Sequence, residues 1–239
     1  MGNWKERTVL LFGEDRVKKL QESHVLIIGL GGVGAYAAEQ LARAGIGEMT
    51  IIDGDKIHTS NLNRQLLALK STQNQDKVLL MQERLLDINP DIQLHVLNEF
   101  VIDSRMKEIL DYPYHYVVDA IDTLSPKVNL IIESLEKGHP IISSMGAGGK
   151  IDATLIQIAD ISETYNDNLA RMIRKRLHKK GVYEGVKVVF SPEKIDPSAI
   201  IVTDNEQNKK TTVGTISYMP AIFGNFIASI VIRDLLEIG

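Results

Sequence analysis

The 239-residue chain contains no cysteine. It therefore cannot form a disulfide, bind zinc through thiolates or use a thiol of its own as a nucleophile. Its formal net charge is −4, so the chain as a whole is not a polycation, and nucleic-acid binding would have to come from a local basic patch. Residues 1–7 lack the apolar core of a signal peptide, which predicts a cytoplasmic location.

A long uninterrupted apolar run is also missing. The longest apolar stretch covers residues 216–232 and is interrupted by Pro220, Gly224 and Asn225. It predicts a helix that lies in the core or at an interface between two copies of the chain. It argues against stable insertion into a membrane.

The clearest positive signal lies between His24 and Asp53. An apolar run at 24–28 is typical of a buried parallel strand, and it leads into a glycine turn followed by an alanine-rich helical segment. The glycines, which allow backbone N–H groups to approach a phosphate, are Gly29, Gly31, Gly32 and Gly34. A second strand ends in Asp53, which is placed to bind a ribose hydroxyl, although the same acid could instead cap a loop. The order of these elements predicts a nucleotide site.

The segments outside this unit are less regular. Residues 8–22 predict one short amphipathic helix with Leu10 and Leu11 on its apolar side. From Gly146 come a glycine-rich turn, a strand, a basic helix, a second strand, a polar loop at 192–210 and the apolar C-terminal helix. These patterns indicate an extension built on the nucleotide-binding part.

Strand and helix patterns alternate through the first 145 residues, which favours a parallel sheet with helices on both faces. We therefore predict an α/β fold with a Rossmann-like, doubly wound, mainly parallel sheet and a C-terminal antiparallel extension. Residues 1–239 are predicted to form a single domain. Its nucleotide-binding core covers about 20–145 and its substrate-side extension about 146–239.

Charged residues that suit a triphosphate follow the predicted strands. Arg64 lies shortly after Asp53, Lys77 begins the next helix, and Asp122 follows a later strand. Arginine and lysine can neutralise charge as a bond to the α-phosphorus breaks, and a carboxylate suits Mg²⁺. A dinucleotide dehydrogenase does not need these cations. The set therefore favours nucleotidyl transfer from ATP over hydride transfer.

Five separated motifs give roughly residues 4–145 a resemblance to the ubiquitin-activating-enzyme-like adenylyltransferases. The motifs are Gly29-Leu30-Gly31-Gly32-Val33-Gly34, Asp53-Gly54-Asp55, Asn61-Leu62-Asn63-Arg64-Gln65, Lys77 and Ala120-Ile121-Asp122. The resemblance implies that the matching residues bind ATP and Mg²⁺, with the metal at Asp122. It also implies a homodimer, because Arg7 matches an arginine that reaches into the partner subunit's site. The implied catalytic residues are Arg7, Arg64, Lys77 and Asp122.

Some of these residues also have purely structural interpretations. Asp55 can support the site from behind, because Asp53 already occupies the strand end. Asn61 and Gln65 can be turn formers rather than ligands of the nucleotide. Arg7 can be an exposed arginine, since its match rests on spacing.

The remaining residues resemble the tRNA threonylcarbamoyladenosine dehydratase branch of that family. The similar segments are Ser143 to Asp152, Asp160-Ile161, Asp167 to Arg171 and the basic helix before Val186. The branch activates a threonine carboxylate on the modified adenosine of tRNA as an acyl-adenylate, and the modification's own carbamoyl group then closes a ring and expels AMP. That nucleophile belongs to the substrate, so the missing cysteines fit this chemistry.

Two other functions stay open on the sequence alone. One is an adenylyltransferase acting on the C-terminal glycine of a ubiquitin-like sulfur-carrier protein. The other is a nucleotide-binding scaffold without turnover. The tRNA interpretation rests on clustered cations, although most such runs are solvated helix faces. The predicted tRNA contacts are Lys127, Arg171, Arg174, Lys175, Arg176 and Lys179.

Overall fold

The computed structural model describes residues 4–206 and 209–238. The main sheet consists of β1 (His24–Ile28), β2 (Glu48–Ile52), β3 (Gln93–Leu97), β4 (Tyr116–Asp119), β5 (Ile141–Ser144), β6 (Gln157–Asp160) and β7 (Lys187–Phe190). These strands lie in the order β3-β2-β1-β4-β5-β7-β6, and only the β6–β7 pair is antiparallel. A separate antiparallel hairpin pairs β8 (Ile200–Glu206) with β9 (Lys209–Val213). The predicted fold class is confirmed.

Helices cover both faces of the sheet. The α-helices of the described residues are α1 (Glu6–Phe12), α2 (Glu14–Gln21), α3 (Gly34–Ala44), α4 (Lys77–Ile88), α5 (Asp103–Leu110), α6 (Leu124–Glu136), α7 (Asn168–His178) and α8 (Tyr218–Leu236). Helices α2, α3, α4 and α8 share one apolar core, and α5, α6 and α7 share the other. Strand β1 feeds both cores because alternate side chains point to opposite faces, which explains its continuous apolar run.

The N-terminal helix differs from its prediction. The single helix expected over residues 8–22 is divided into α1 and α2 at Gly13, whose φ of +85° is a conformation that glycine adopts readily. Leu10 and Leu11, expected on the apolar side, are 80% and 74% exposed. The prediction was wrong here because α1 is not held against the sheet, whereas α2 buries Val17 and Leu20.

Two further differences lie near the C-terminus. The segment 192–210 was predicted to be a polar loop, but it contains β8 and the start of β9. Helix α8 is long and apolar enough to cross a membrane by length and composition alone. Half of that apolar window is buried, and Phe223, Ile227 and Val231 lie in the core that α3 shares. We therefore assign α8 to the core, one of the two positions that its sequence allowed.

The topology determines where a ligand can bind. From β1 the chain crosses through α3 to β2 on one side, whereas β4 lies on the other side of β1 and leads through α6 to β5. The loops after β1 and β4 therefore diverge and leave a crevice at the carboxyl ends of these two strands. Open α/β sheets bind ligands at such a switch point.

Candidate functional site

The glycine turn follows β1 at this crevice, and its shape depends on the missing side chains. Gly29 has a φ of +93°, and a Cβ there would lie 2.7 Å from the Ala120 carbonyl oxygen. A Cβ on Gly34 would lie only 1.8 Å from the Gly29 carbonyl oxygen. A Cβ on Gly32 would approach Pro220 of α8 to 2.9 Å. The turn is thus packed between the loop after β4 and the C-terminal helix.

Gly31 differs from its neighbours in the turn. The atom nearest to a Cβ at Gly31, outside the neighbouring residues, would be Gln65 Nε2 at 3.7 Å. A side chain at Gly31 would therefore meet no close contact, which leaves room beside the start of α3. Backbone N–H groups at a helix N-terminus favour an anion there.

Asp53, at the end of β2, is tied to the glycine turn. One of its carboxylate oxygens accepts a hydrogen bond from the Leu30 N–H at 2.6 Å, and the other accepts one from the Asp55 N–H at 2.7 Å. Burial raises the pKa of this carboxyl, while Lys77 and the two N–H donors oppose the rise. Each carboxylate oxygen keeps a second lone pair, so the fixed acid can still accept a hydrogen bond from a ribose hydroxyl.

Asp55 and Lys77 form an ion pair beside Asp53. Lys77 Nζ lies 2.8 Å from Asp55 Oδ2, and its backbone N–H donates to the Asp55 carbonyl. The lysine side chain is 5% exposed, whereas the aspartate side chain is 48% exposed. Asp55 therefore holds the Lys77 side chain in position, which fits the structural interpretation of that aspartate.

The segment Asn61–Gln65 lies against the glycine turn. Asn61 is buried and caps its own 3₁₀ turn, because its side-chain oxygen accepts the His58 N–H at 2.9 Å. Arg64 donates to the Ser60 carbonyl oxygen at 2.8 Å, and its Cγ lies beside Gly32. Gln65 lies beside Gly31, and its buried Oε1 has no hydrogen-bond partner among the described residues. A buried amide oxygen without a partner is costly, and a donor on a ligand would satisfy it.

A buried ion pair supports the loop after β4. Lys127 Nζ and Asp119 Oδ2 are 2.9 Å apart, and both side chains are 0% exposed. Asp119 also accepts hydrogen bonds from Ser143 Oγ at 2.6 Å and from the Ile121 N–H at 3.1 Å. Lys127 donates a further bond to the Ile121 carbonyl oxygen at 2.9 Å. The pair therefore holds Ile121, the residue before Asp122, through both of its backbone polar groups.

This network corrects one prediction and adds residues that the sequence analysis had not assigned. Lys127 has no exposed surface from which to contact tRNA, so it is removed from the tRNA-contact set. Burial raises the pKa of the Asp119 carboxyl, while Lys127, Ser143 and the Ile121 N–H oppose the rise. Asp119 could have been found from the sequence, because it is an acid at the end of the strand Tyr116–Asp119. Residues at strand ends point into the crevice or into the sheet.

Arg7 and the basic helix lie outside this cluster. Arg7 is exposed on α1, and its reach into a partner subunit stays a prediction. Helix α7 buries Ala170, Ile173 and Leu177, and it leaves Arg171, Lys175 and Lys179 exposed at intervals of four residues, which places them on one face.

Two arginines of α7 are engaged with the protein. Arg174 binds Thr164 and the Ile161 carbonyl oxygen. Arg176 donates to Ser125 Oγ at 2.7 Å. Because Ser125 comes three residues after Asp122, this bond connects the basic helix to the rim of the crevice.

The residues present fit ATP and Mg²⁺. The open backbone at Gly31 offers a site for an anion. Gln65 Oε1 offers an oxygen that lacks a hydrogen-bond donor among the described residues, and the buried Lys77 offers a fixed positive charge. The Asp122 carboxylate is the oxygen donor that Mg²⁺ prefers. The crevice therefore offers groups of the kinds that bind a nucleoside triphosphate, and Asp122 follows β4 at the same edge of the sheet.

Comparison with known proteins agrees with this chemistry. The family model described as ThiF matches residues 5–239. The chain belongs to the ThiF family. A relative from Bacillus subtilis, the tRNA threonylcarbamoyladenosine dehydratase, is 39% identical over 242 residues, covering 97% of this chain and 94% of the relative.

Solved structures of this family are also similar. The Escherichia coli tRNA N6-threonylcarbamoyladenosine dehydratase, TcdA, in complex with ATP matches with a TM-score of 0.87 and 34% identity, over 98% of this chain and 95% of that chain. A complex of the same enzyme with AMP matches equally well. The sulfur carrier protein ThiS adenylyltransferase of Escherichia coli is 36% identical over 139 residues, covering 57% of this chain and 55% of that relative. The match to the ThiS relative thus leaves more than a third of this chain uncovered, whereas the dehydratases match almost all of it.

Proposed function

We propose that this ThiF-family chain is an ATP-dependent tRNA threonylcarbamoyladenosine dehydratase. The observation that carries the proposal is the near full-length similarity to dehydratases, which includes the extension beyond residue 145. The convergence of the glycine turn, Asp53, Arg64, Gln65 and Lys77 at one crevice supports it.

The reaction proceeds by activation of a carboxylate. An oxygen of the threonine carboxylate attacks the α-phosphorus of ATP, pyrophosphate leaves, and a mixed anhydride with AMP forms. The carbamoyl group of the same modification then attacks the acyl carbon, the ring closes, and AMP leaves. Because nucleophile and acyl group belong to one molecule, the second step gains from proximity and needs no enzyme thiol.

Each protein group has a defined task in this proposal. The glycine turn and the start of α3 bind phosphate, and Asp53 binds the ribose. Arg64 and Lys77 stabilise the negative charge that develops on the leaving pyrophosphate. Asp122 holds Mg²⁺, which supplies further charge neutralisation when bound.

The test is AMP release measured with tRNA that carries threonylcarbamoyladenosine, with unmodified tRNA and without tRNA. We expect only the modified tRNA to stimulate release. Arg64→Ala and Asp122→Ala should each abolish release while the circular dichroism spectrum is unchanged, and Arg16→Ala on the exposed side of α2 is the matched control. Full turnover in either variant would refute that residue's role.

The same assay separates the alternatives. Stimulation by a ubiquitin-like protein with indifference to tRNA would overturn the dehydratase proposal in favour of a sulfur-carrier adenylyltransferase. ATP binding without AMP under all conditions would favour a scaffold. The absence of cysteine and the partial coverage of the ThiS relative both disfavour the first of these.

We also propose that the chain works as a homodimer whose sites are completed by Arg7 of the partner. The C-terminal apolar face is already used in the core, so the support comes from α1, where Leu10 and Leu11 are exposed next to Arg7 on the same helix. A shallow apolar cavity of about 350 Å³, lined in part by Phe12, Ile232 and Ile238, lies beside α1. Exposed apolar clusters of this kind favour protein association.

Mixing inactive variants tests this arrangement. Arg7→Ala and Arg64→Ala homodimers should both be inactive. After subunit exchange, the mixed dimer contains one site with both arginines intact, so AMP release should return to a substantial fraction of the wild-type rate. No recovery in a mixture shown to exchange subunits, or a monomeric mass in solution, would contradict the proposal. Leu10→Asp/Leu11→Asp should give monomers.

The exposed face formed by Arg171, Lys175 and Lys179 is proposed to contact tRNA phosphates, with Arg174 and Arg176 at its border. Clustered cations supply the sequence-independent part of nucleic-acid binding. Work on tRNA is consistent with the predicted cytoplasmic location.

A further inference from the structure

A second polar cluster lies at the opposite end of the sheet from the nucleotide crevice. His24 begins β1, and its register partner Glu48 begins β2. His95 lies in β3 opposite Thr50. Because side chains alternate along a strand, Glu48 and Thr50 share one face of the sheet, and their neighbours His24 and His95 lie on that face too. The cluster is about 16 Å along β1 from the glycine turn.

Three potential metal ligands meet in this cluster. Glu48 Oε1 lies 3.3 Å from His24 Nδ1 and 2.7 Å from His95 Nε2. The three ligand atoms all lie within 4.8 Å of one another. Around a tetrahedral zinc ion with bonds of about 2.0–2.2 Å, neighbouring ligand atoms are about 3.4 Å apart. The cluster can reach that spacing with small side-chain movements.

One ring nitrogen of His24 makes no hydrogen bond within the described part of the chain, which points to a ligand. His24 is 3% exposed, and its buried Nδ1 has no hydrogen-bond partner among the described residues. The other ring nitrogen, Nε2, lies 2.9 Å from Thr50 Oγ1, as expected for a ligand histidine whose second nitrogen is held by a hydrogen bond. The orphaned nitrogen faces a carboxylate, an arrangement that a cation between them would stabilise.

The surroundings fix the histidine ring in this orientation. The rings of Tyr112 and Tyr114 pack edge-on against His24, with centroids 4.9 and 4.8 Å away. Burial lowers the pKa of His24 to about 4, and the Glu48 carboxylate opposes this shift. The His95 side chain is 45% exposed, which gives an ion access from solvent.

We propose that His24 Nδ1, the Glu48 carboxylate and His95 Nε2 form a binding site for a divalent transition-metal ion of the zinc type. Two nitrogens and one carboxylate are borderline ligands that favour Zn²⁺ or Co²⁺ over Mg²⁺. Water completes the coordination on the exposed side. The ion joins the amino ends of β1 and β2 to the central residue of β3, far from the nucleotide, so its role is structural.

Binding to the full-length protein tests the site. Chelator-treated and desalted protein is titrated with Zn²⁺ by calorimetry and with Co²⁺ by visible absorption, in a large excess of Mg²⁺ and without nucleotide. We expect one ion per chain at micromolar or tighter affinity, Co²⁺ d–d bands, and a higher melting temperature with Zn²⁺. Absence of saturable binding at 100 µM free Zn²⁺ would overturn the proposal.

Variants locate the ion. His95→Asn changes an exposed side chain and should weaken Zn²⁺ binding at least tenfold and remove the Co²⁺ bands, and Glu48→Gln should do the same. His178→Asn, an exposed histidine on α7, is the matched control and should bind as the wild type does. Equal binding by folded His95→Asn and Glu48→Gln would place the ion elsewhere. AMP release should be the same for His95→Asn and wild type, which keeps this test independent of the proposed enzyme activity.

Discussion

Strand β4 contacts an ion pair near each of its ends, and the two pairs are built differently. Behind its carboxyl end, Lys127 and Asp119 are fully excluded from solvent. At its amino end, Tyr116 and Lys187 both contact Asp234 of α8, at 2.6 Å each, and the Lys187 and Asp234 side chains are 41% and 33% exposed. The first pair holds the loop that carries Asp122, whereas the second only joins a helix to the sheet.

The difference shows that a buried ion pair fixes the geometry of a loop, whereas a half-exposed pair only attaches a helix to the sheet. A buried charge must be matched by a partner and by hydrogen bonds, so the groups around it are fixed in place. A half-exposed pair is screened by water and contributes little, so its geometry can vary. The end of the sheet that builds the nucleotide site uses the rigid design.

The largest effect is expected from Lys127→Met. It leaves the Asp119 charge buried and unpaired, which should lower the free energy of unfolding by about 3–5 kcal/mol, measured by urea denaturation. The double variant Asp119→Asn/Lys127→Met removes both charges and should recover most of that stability. Despite its recovered stability, the double variant should release AMP more slowly than the wild type, because the Ile121 carbonyl oxygen has lost its hydrogen-bond donor. If Lys127→Met is as stable as the wild type, the buried pair is no more important for stability than the exposed pair at the other end of β4.

The glycine turn gives the next largest effect. Gly34→Ala places a Cβ 1.8 Å from the Gly29 carbonyl oxygen, so the turn has to shift, and we expect a loss of about 3 kcal/mol in unfolding free energy. Gly31→Ala meets its nearest atom at 3.7 Å and should leave stability nearly unchanged while weakening ATP binding, measured by calorimetry. If both variants lose similar stability, Gly31 is as tightly packed as Gly34, and the turn has no position that serves ligand binding alone.

Charge on α7 should matter for tRNA alone. Lys175→Gln/Lys179→Gln should weaken binding of modified tRNA about tenfold near physiological salt and reduce the slope of log affinity against log salt by about 1.5–2. Stability should not change, because both lysines are exposed. Lys18→Gln/Lys19→Gln on α2 removes the same charge elsewhere and is the control. Equal weakening by both double variants would indicate a general charge effect rather than a contact face.

The smallest effect is expected at the amino end of β4. Lys187→Met leaves Asp234 partly solvated and still bonded to Tyr116, so the loss in unfolding free energy should be below about 1 kcal/mol and should shrink further in high salt. Urea denaturation at low and high salt measures both quantities. A loss as large as that of Lys127→Met would mean that the two ends are equally rigid.

The carboxyl end of the sheet was largely predictable from sequence because its residues belong to short local motifs. Each motif can be recognised from a few consecutive residues: the glycine turn, the acid that ends β2 and the segment 61–65. The apolar run at 24–28 also forms the predicted strand, β1 (His24–Ile28). Hydrophobic periodicity works well for elements whose faces are buried by the sheet.

The rest could not be predicted because it depends on register between distant segments. Lys127 looks like a surface lysine at a helix start, and only the position of Asp119 on β4 explains its burial. His24, Glu48 and His95 meet only because three strands pair in one register. The hairpin of β8 and β9 arises from a polar stretch that resembles a loop.

The contact between Pro220 and the glycine turn has a consequence for how the protein is made. Gly32 leaves the ribosome early, but the helix that packs on it is synthesised near the end of the chain. At about 5–20 residues per second, roughly 10–40 s separate the two events. The nascent chain therefore carries an unfinished phosphate loop for most of its synthesis, and a product that stops before Pro220 should be unable to retain nucleotide.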